Sequence, residues 1–363
     1  MVSSEEVGVM LPGDFEETKG YWVKDYVCVL SELQCAKDVE FFAITGGWAY
    51  PDVYGLAPVD HKQAPSYIEA LKNDKIIENA AVFLQLNANS TLDDPDNRSI
   101  VEFGMTKEAA SGYVQGDWYT HQWGFEFDAA GIARMKLDLA DMTYNGKSIG
   151  KDIKVMLASY SSYLVQVGAV YETHFNDFAE QITNELDFKC MKYPIPHNAT
   201  ENVTIGFCYA QDTCENYYSQ LATFTVRFGD IIYTLPPKNL IYDHFGACFF
   251  NVFYNSAFND EIMLGQPFIE TFSMHFDYEN DEVSFAQNVK APEGASIHKA
   301  GEPIPDPDDK GPSAGEKFEI VLLVFVSVAL IIVLIVFALR YMQRRKQDEA
   351  REIAYRNLGN FNE

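Results

Sequence analysis

The feature that most constrains this chain is one apolar run near its C-terminus, residues 320–339, which reads IVLLVFVSVALIIVLIVFAL. Ser327 is the only polar side chain in these twenty residues. At about 1.5 Å per residue the run spans about 30 Å, the thickness of the hydrocarbon core of a bilayer. A buried core helix is the alternative, but a run that is apolar on every face favours the membrane. The sequence therefore predicts one transmembrane helix.

Basic residues that follow the apolar run indicate its orientation: Arg340, Arg344, Arg345 and Lys346. Positive charge next to a span predicts the cytosolic side. We therefore expect a single-pass type I membrane protein with a cytosolic C-terminus. Residues 1 to about 317 are then lumenal or extracellular, in an endolysosomal or plasma membrane.

Two further features agree with this orientation. Four Asn-X-Ser/Thr sequons precede the run and predict a glycoprotein: Asn89, Asn97, Asn198 and Asn202. Six cysteines also precede it, an even number suited to three disulfides: Cys28, Cys35, Cys190, Cys208, Cys214 and Cys248. The start of the sequence, MVSSEEVGVMLPGDFEE, lacks an apolar stretch of signal-peptide length, so we expect that the natural start is missing or misassigned.

The chain is strongly acidic, with 27 basic and 53 acidic residues and a net charge of −26. From Arg340 onward there are six basic and four acidic residues. The preceding part of the chain therefore has 21 basic and 49 acidic residues, a net charge of −28. Such a surface repels phosphate and argues against nucleic acid as a partner. An acidic compartment would relieve the self-repulsion, and solubility alone explains the charge equally well. The 21 Tyr and 26 Phe favour strands over helix bundles.

Aromatic and β-branched runs predict a mostly β ectodomain, with strands over residues 125–139, 153–167, 222–235 and 248–254. Residues 271–286 predict a hairpin with its turn at Glu279-Asn280-Asp281. Residues 66–76, which open on a capping box, and residues 170–186, with apolar residues at helical spacing, predict helices. Residues 290–317 contain five prolines and no aromatic residue, which predicts a stalk.

The order of motifs resembles the pepsin-like aspartic proteases. In the C-terminal half, Ile262-Met263-Leu264-Gly265 resembles the family's hydrophobic-hydrophobic-Gly segment, and residues 272–286 resemble its closing hairpin. Residues 227–237, RFGDIIYTLPP, match the pattern F-G-G … Y-x-L-x-P. In the N-terminal half, residues 52–57 resemble the pattern D-G-I-L-G-L, and residues 66–87 resemble the family's helix and the strand that follows it. Residues 99–104 resemble S-x-L-x-F-G-G, with Met105 in place of the second Gly.

This resemblance implies a bilobal double β-barrel whose N-terminal lobe is incomplete. We expect a partial N-terminal lobe over 1–140, a C-terminal lobe over 141–289, a stalk over 290–317, a transmembrane helix over 318–340 and a cytosolic tail over 341–363. The resemblance also implies the pair Cys214–Cys248. Cys28 and Cys35 would close a small loop and leave Cys190 with Cys208, although the six cysteines allow fifteen connectivities.

The family's chemistry requires two Asp carboxylates, one per lobe, each in an Asp-Thr/Ser-Gly turn, and this sequence contains neither tripeptide. At the second-lobe position it reads Ala158-Ser159-Tyr160-Ser161, with Ala158 in place of the Asp and Tyr160 in place of the Gly. The paired carboxylates share a proton and activate water, as in pepsin, a standard example of this effect. Alanine can neither titrate nor hold that water, so we expect no retained catalytic residue.

Alignment by the same resemblance puts the first-lobe Asp upstream of residue 1 and the flap near Gly13, where no Tyr stands. A substitute hydrolase is not favoured, because no Gly-X-Ser-X-Gly elbow accompanies Ser159, Ser161 or Ser162. The seven His show no spacing typical of a metal site, and no cofactor is expected.

Three functions are left open. The first is an inactive homologue that binds a peptide or partner in its cleft. The second is an active aspartic endopeptidase represented by a truncated or faulty gene model. The third is a sorting receptor, because Tyr355-Arg356-Asn357-Leu358 has the Tyr-X-X-apolar pattern that sorting adaptors bind. An ordinary solvated tail helix explains the same residues.

Overall fold

The computed structural model describes residues 7–9, 18–28, 35–46, 67–87, 97–127, 133–158, 161–196, 202–257 and 262–302. Its α-helices are α1 (Tyr67–Asn73), α2 (Lys107–Ala110), α3 (Glu172–Glu185) and α4 (Gln266–Thr271). The strands of the first part are β1 (Val7–Val9), β2 (Thr18–Cys28), β3 (Cys35–Gly46), β4 (Ala81–Gln85), β5 (Ile100–Phe103), β6 (Val114–Gln122), β7 (Gly124–Phe127), β8 (Ala133–Tyr144), β9 (Lys147–Leu157) and β10 (Val165–Val167). The later strands are β11 (Lys189–Pro196), β12 (Asn202–Ala210), β13 (Phe224–Phe228), β14 (Ile231–Leu235), β15 (Ile241–His244), β16 (Ala247–Phe250), β17 (Val252–Asn255), β18 (Ile262–Leu264), β19 (Phe272–Asp277), β20 (Glu282–Asn288) and β21 (Ser296–Lys299).

Three sheets contain these strands. A small antiparallel sheet has the order β1-β2-β3, and a five-stranded sheet has the order β5-β4-β19-β20-β6. The largest sheet forms a half-barrel with the order β15-β16-β12-β17-β10-β18-β9-β8-β13-β14-β21, while β11 pairs with β12 and β7 with β8. The prediction of a mostly β protein is therefore confirmed.

The five-stranded sheet joins distant parts of the chain. Its β19–β20 hairpin pairs with β4 on one side and β6 on the other, so residues 81–122 contact residues 272–288. The hairpin turn falls where the sequence predicts it. Asp277 stabilises the turn, because its carboxylate accepts hydrogen bonds from the backbone N–H groups of Glu279 and Asn280 at 2.9 and 3.2 Å.

Four predicted strands are each interrupted in the structure. The run 125–139 contains the separate strands β7 and β8, which pair with each other. The run 153–167 leaves the sheet after Leu157 and rejoins it at Val165. The run 222–235 turns at Gly229, whose φ is +59°, and the run 248–254 breaks at Asn251 between β16 and β17. Gly229 and Asp230 form an exposed turn and Asn251 is a buried polar residue, so a run that is mostly apolar does not by itself indicate one continuous strand.

Both predicted helices are present. The helix α3 follows a short 3-10 turn (Ala169–Tyr171) and packs on the inner side of the large sheet. Between ring centroids, Phe178 of this helix lies 5.1 Å from Phe250, and Phe175 lies 5.6 Å from Tyr254. These side chains belong to one core that also contains residues of the five-stranded sheet, among them Phe272 and Phe285.

Two disulfides involve strands of the large sheet. Cys190 and Cys208 are register partners on β11 and β12 and are bonded to each other. Cys214 is bonded to Cys248, with a sequence separation of 34, for which the chain-entropy model gives about 3–4 kcal/mol. Both pairs agree with the expected connectivity. Cys28 and Cys35 are register partners in the β2–β3 hairpin.

The folded unit continues beyond residue 289. The strand β21 pairs with β14 through residues such as Ile297, opposite Tyr233, and His298, opposite Ile232. Residues 290–302 therefore do not form the stalk expected from residue 290, because a short strand there completes the sheet edge. Among the described residues no helix is long and apolar enough to cross a membrane, and the run 320–339 lies outside them.

Candidate functional site

The candidate site lies where three strands meet in the large sheet. The strand β18 lies between β9, to which it is parallel, and β10, to which it is antiparallel. Between β9 and β10, the described residues Ala158 and 161–164 lie beside the end of β18. Ala158 is the first loop residue, and its N–H donates a hydrogen bond of 2.8 Å to the carbonyl of Leu264.

Gly265 allows the loop to lie close to β18. A β-carbon at this position would overlap the carbonyl oxygens of Tyr163 and Ser161. The Gly265 N–H donates to the carbonyl of Leu164 at 3.0 Å, and the Gln266 N–H donates to that of Ser161 at 2.7 Å. The loop is therefore fixed by main-chain hydrogen bonds that require no particular side chain, apart from a glycine.

The surroundings of Ala158 are apolar. Its side chain is completely buried and forms a small cluster with Met156 and Met263. These two methionines are register partners on β9 and β18. A carboxylate in this cluster would lose its hydration, and this loss disfavours the ionised form.

The other residues of the predicted site fall into two groups. Ser159 and Tyr160 lie outside the described residues. Ser161 is buried, its N–H donates to the carbonyl of Ala158 at 2.9 Å, and its hydroxyl has no hydrogen-bond partner within the described part of the chain. Ser162 is exposed. A serine hydroxyl without a neighbouring base is a poor nucleophile, so this arrangement does not resemble a serine hydrolase.

The remaining predicted residues are scattered. Asn202 is exposed at the start of β12, and Asn97 is partly exposed. Asn89, Asn198, Gly13, Tyr355 and Leu358 lie outside the described residues. Over the described ranges, no group of three or more His, Cys, Asp or Glu residues could hold a metal ion.

Sequence reasoning missed a polar contact between the five-stranded and the large sheet. The Nε2 atom of His121, on β6, lies 2.7 Å from the hydroxyl of Tyr233, on β14. The rings of Phe228 and Phe285 lie 5.3 and 5.8 Å from the imidazole. Burial lowers the pKa of His121 to about 4, and the carboxylate of Asp230 opposes this shift. The two residues are too far apart in sequence for any local pattern to reveal their contact.

The comparison with known families agrees with this geometry. The model of the eukaryotic aspartyl protease domain matches residues 47–288, a range that includes both Ala158 and Gly265. The chain belongs to the pepsin-like aspartic protease family. The resemblance expected from the sequence motifs is thus confirmed. No match was found among curated proteins.

Proposed function

We propose that this aspartic protease homologue is anchored in a membrane, does not hydrolyse peptides by the family's mechanism, and binds a peptide or partner segment between two lobes. The observation that carries the proposal is the position of Ala158. Its methyl group is buried against Met156 and Met263, at the end of β9, and its backbone is bonded to the segment that ends at Gly265.

The chemical argument concerns the shared proton. Hydrolysis by this family needs one carboxylate to accept a proton from water while the other, protonated, donates to the substrate carbonyl. A methyl group can do neither, and no Asp-Thr/Ser-Gly tripeptide stands elsewhere in the sequence. One carboxyl from another segment would still lack its partner. Binding is compatible with this loss, because the loop geometry depends on main-chain bonds, and a fold can keep a binding cleft after its chemistry is lost.

The decisive experiment is a peptidase assay with the purified full chain. Denatured protein is incubated with the chain between pH 3 and pH 6, with and without pepstatin, and fragments are detected by mass spectrometry. We expect no cleavage that pepstatin inhibits. Capture of peptides from a random library at the same pH tests binding, and a chain that binds none would contradict the second half of the proposal.

The family match supports a second candidate, an active aspartic endopeptidase of an acidic compartment. In that case both carboxyls must come from positions other than Ala158. Pepstatin-sensitive turnover would establish it and remove the first candidate. Transcript sequencing is a simple supplement, because an Asp codon at position 158 or an upstream Asp-Thr/Ser-Gly motif would favour activity.

The sequence supports the anchor and the orientation. An alkaline carbonate wash should leave the full chain in the membrane, and deletion of residues 318–340 should release it. An Asn202→Gln change should remove one glycan and accelerate electrophoretic migration if the ectodomain is lumenal. The tail pattern supports a third candidate, a sorting receptor, which requires that Tyr355→Ala redistributes the protein between organelles.

A further inference from the structure

The outer side of one part of the large sheet is lined with aromatic rings. We call it the aromatic face and define it by the outward side chains of β11, β12, β15 and β16: Tyr193, Phe207, Tyr209, Tyr242 and Phe249. Neighbouring centroids along it are 5.7–6.1 Å apart, from Tyr193 to Phe207 (6.1 Å), Phe207 to Phe249 (5.7 Å) and Phe249 to Tyr242 (5.8 Å). The face is therefore one continuous row rather than scattered residues.

These rings lie outside the hydrophobic core. The alternate residues of the same strands, Cys208, Cys248 and Phe250, are buried and supply the inner side. On the outer side Tyr193 is 48% exposed, and the other rings of the row are partly exposed. Isolated exposed apolar residues are normal, whereas contiguous ones typically indicate an interaction surface.

The β15–β16 hairpin adds a second observation at the end of the row. Its two turn residues both have positive φ, +49° at Phe245 and +76° at Gly246, and Phe245 is 96% exposed. Turns of this geometry favour Asn, Asp or Gly, and a bulky residue in the left-handed region is energetically unfavourable. The ring of Phe245 lies 4.1 Å from that of His244, between centroids, and otherwise faces solvent, and a backbone outlier of this kind points to function.

The charge of the aromatic face differs from that of the chain. The outward positions of these strands, as far as they are described, include Lys189 and His244 but no carboxylate. Asp243 lies between outward residues, and its carboxylate instead accepts a hydrogen bond of 3.0 Å from the Cys214 N–H. A chain with a net charge of −26 thus carries one face without acidic side chains.

We propose that the aromatic face docks on the headgroup region of the neutral, phosphatidylcholine-like bilayer in which this chain is anchored. The proposal rests on the proposed membrane anchor. Tyrosine is enriched at bilayer interfaces because its ring is apolar and its hydroxyl is polar, and a phenyl ring at a hairpin tip can enter the acyl boundary. Anionic lipids would repel the acidic ectodomain, so a neutral surface is the matching partner.

The length of the tether allows this orientation. Residues 303–319 separate the described unit from the apolar run, and at about 3.3 Å per residue they reach at most about 55 Å. A folded unit of about 300 residues is about 50 Å across. Because the tether is as long as the unit is wide, it allows any face of the unit to contact the bilayer. The chemistry of the surface then determines which face does so. The tether also keeps the face within reach, which makes weak docking effective.

The experiment uses the full chain in phosphatidylcholine nanodiscs that hold one copy each, so a second copy cannot cover the face. Phe245→Trp places a reporter at the hairpin tip, and Tyr193→Trp places one at the other end of the row. Val170→Trp is the matched control, because Val170 is 61% exposed but precedes α3, which packs on the inner side of the sheet. Lipids with brominated acyl chains quench nearby indole fluorescence, and the unmodified chain supplies the background of the four native Trp.

We expect brominated lipid to remove most of the fluorescence added at position 245, a smaller part at 193 and almost none at 170. Equal quenching at all three positions, or none, would overturn the docking. Failure of the chain to co-migrate with nanodiscs would overturn the anchor and the docking together. Absence of quenching at 245, combined with a cross-linked dimer in detergent through the same face, would assign the face to a second copy and overturn the docking alone.

Discussion

Two contacts between distant strands differ in what maintains them. At the β9–β18 contact, the loop after Ala158 is held to Leu264 and Gly265 by main-chain hydrogen bonds and close packing. At the β6–β14 contact, His121 and Tyr233 meet through titratable side chains 2.7 Å apart. The first is the position that the family resemblance assigns to catalysis, and the second joins the five-stranded sheet to the large sheet.

The two contacts are therefore expected to respond differently to acid. Main-chain bonds at β9–β18 do not titrate, so this contact tolerates any pH at which the protein folds. The imidazole at β6–β14 is neutral in the folded state because burial lowers its pKa to about 4. The contact between β9 and β18 therefore does not depend on pH, whereas the contact between the two sheets does. Four substitutions test this distinction, in order of expected effect.

The largest effect is expected at Gly265. In Gly265→Ala the new methyl group would overlap the carbonyl oxygens of Tyr163 and Ser161, both backbone atoms that cannot move independently. We expect a loss of about 3–5 kcal/mol in the free energy of unfolding, measured by denaturant titration with disulfides intact. Gly112→Ala is the control, because its β-carbon would meet no atom within 4 Å. Equal stability of the two variants would refute the close-packing argument.

The next effect is expected at Ala158. Ala158→Asp places a carboxyl between Met156 and Met263, where burial raises its pKa above the unfolded value of about 3.9. The loss of stability therefore includes a part from overpacking that does not depend on pH, and it grows by up to about 3 kcal/mol as the pH rises from 4 to 7. Ala158→Asn, of similar size and without charge, should show no such slope. We expect neither variant to gain pepstatin-sensitive cleavage, and cleavage by the Asp variant would restore the active candidate.

The third effect is expected at His121, whose removal should reduce the pH dependence of the free energy of unfolding. The folded pKa of His121 lies below its unfolded value of about 6.5, so the stability it contributes is present above pH 6.5 and is lost as the pH falls to about 4. The loss is about 3 kcal/mol, from 1.36 kcal/mol per pKa unit. His121→Gln should reduce the slope of unfolding free energy over this range. His244→Gln, at an exposed position, is the comparison for loss of an imidazole other than the one that contacts Tyr233.

The smallest effect is expected at Tyr233. Tyr233→Phe keeps the buried ring and removes the hydroxyl that contacts His121. Loss of one hydrogen bond should lower the free energy of unfolding by about 1 kcal/mol at pH 7, and by more below pH 4, where protonated His121 donates a charge-assisted hydrogen bond to the hydroxyl oxygen. Thr234→Val, on the same strand, is a second substitution for comparison. A pH-independent loss would show that the hydroxyl acts without the imidazole.

The sequence predicted the local features well. The β19–β20 hairpin was predictable because its turn residues and alternation are adjacent in sequence, and α3 because its apolar spacing is regular. The two disulfides followed from the count and the family resemblance. The position of Gly265 beside the 158–164 loop agrees with the order of motifs, although local pattern alone could not have established it.

Long-range features were not predictable, for identifiable reasons. The insertion of β18 between β9 and β10 comes from residues about 100 positions later, so the break after Leu157 has no local signal. The short β21 lies in a segment rich in Gly and Pro, which resembles a stalk. The aromatic face was missed because Phe249 and its buried neighbour Phe250 are the same residue type. Composition cannot indicate which of two adjacent rings faces the solvent.

The packing of Ala158 has an evolutionary consequence under the proposed function. Once a methyl group is packed between two methionines, a reversion to aspartate is selected against because it weakens the fold. The methionines would first have to change, and nothing favours those changes while position 158 remains alanine. The hydrophobic neighbours of Ala158 therefore make the loss of catalysis difficult to reverse in evolution.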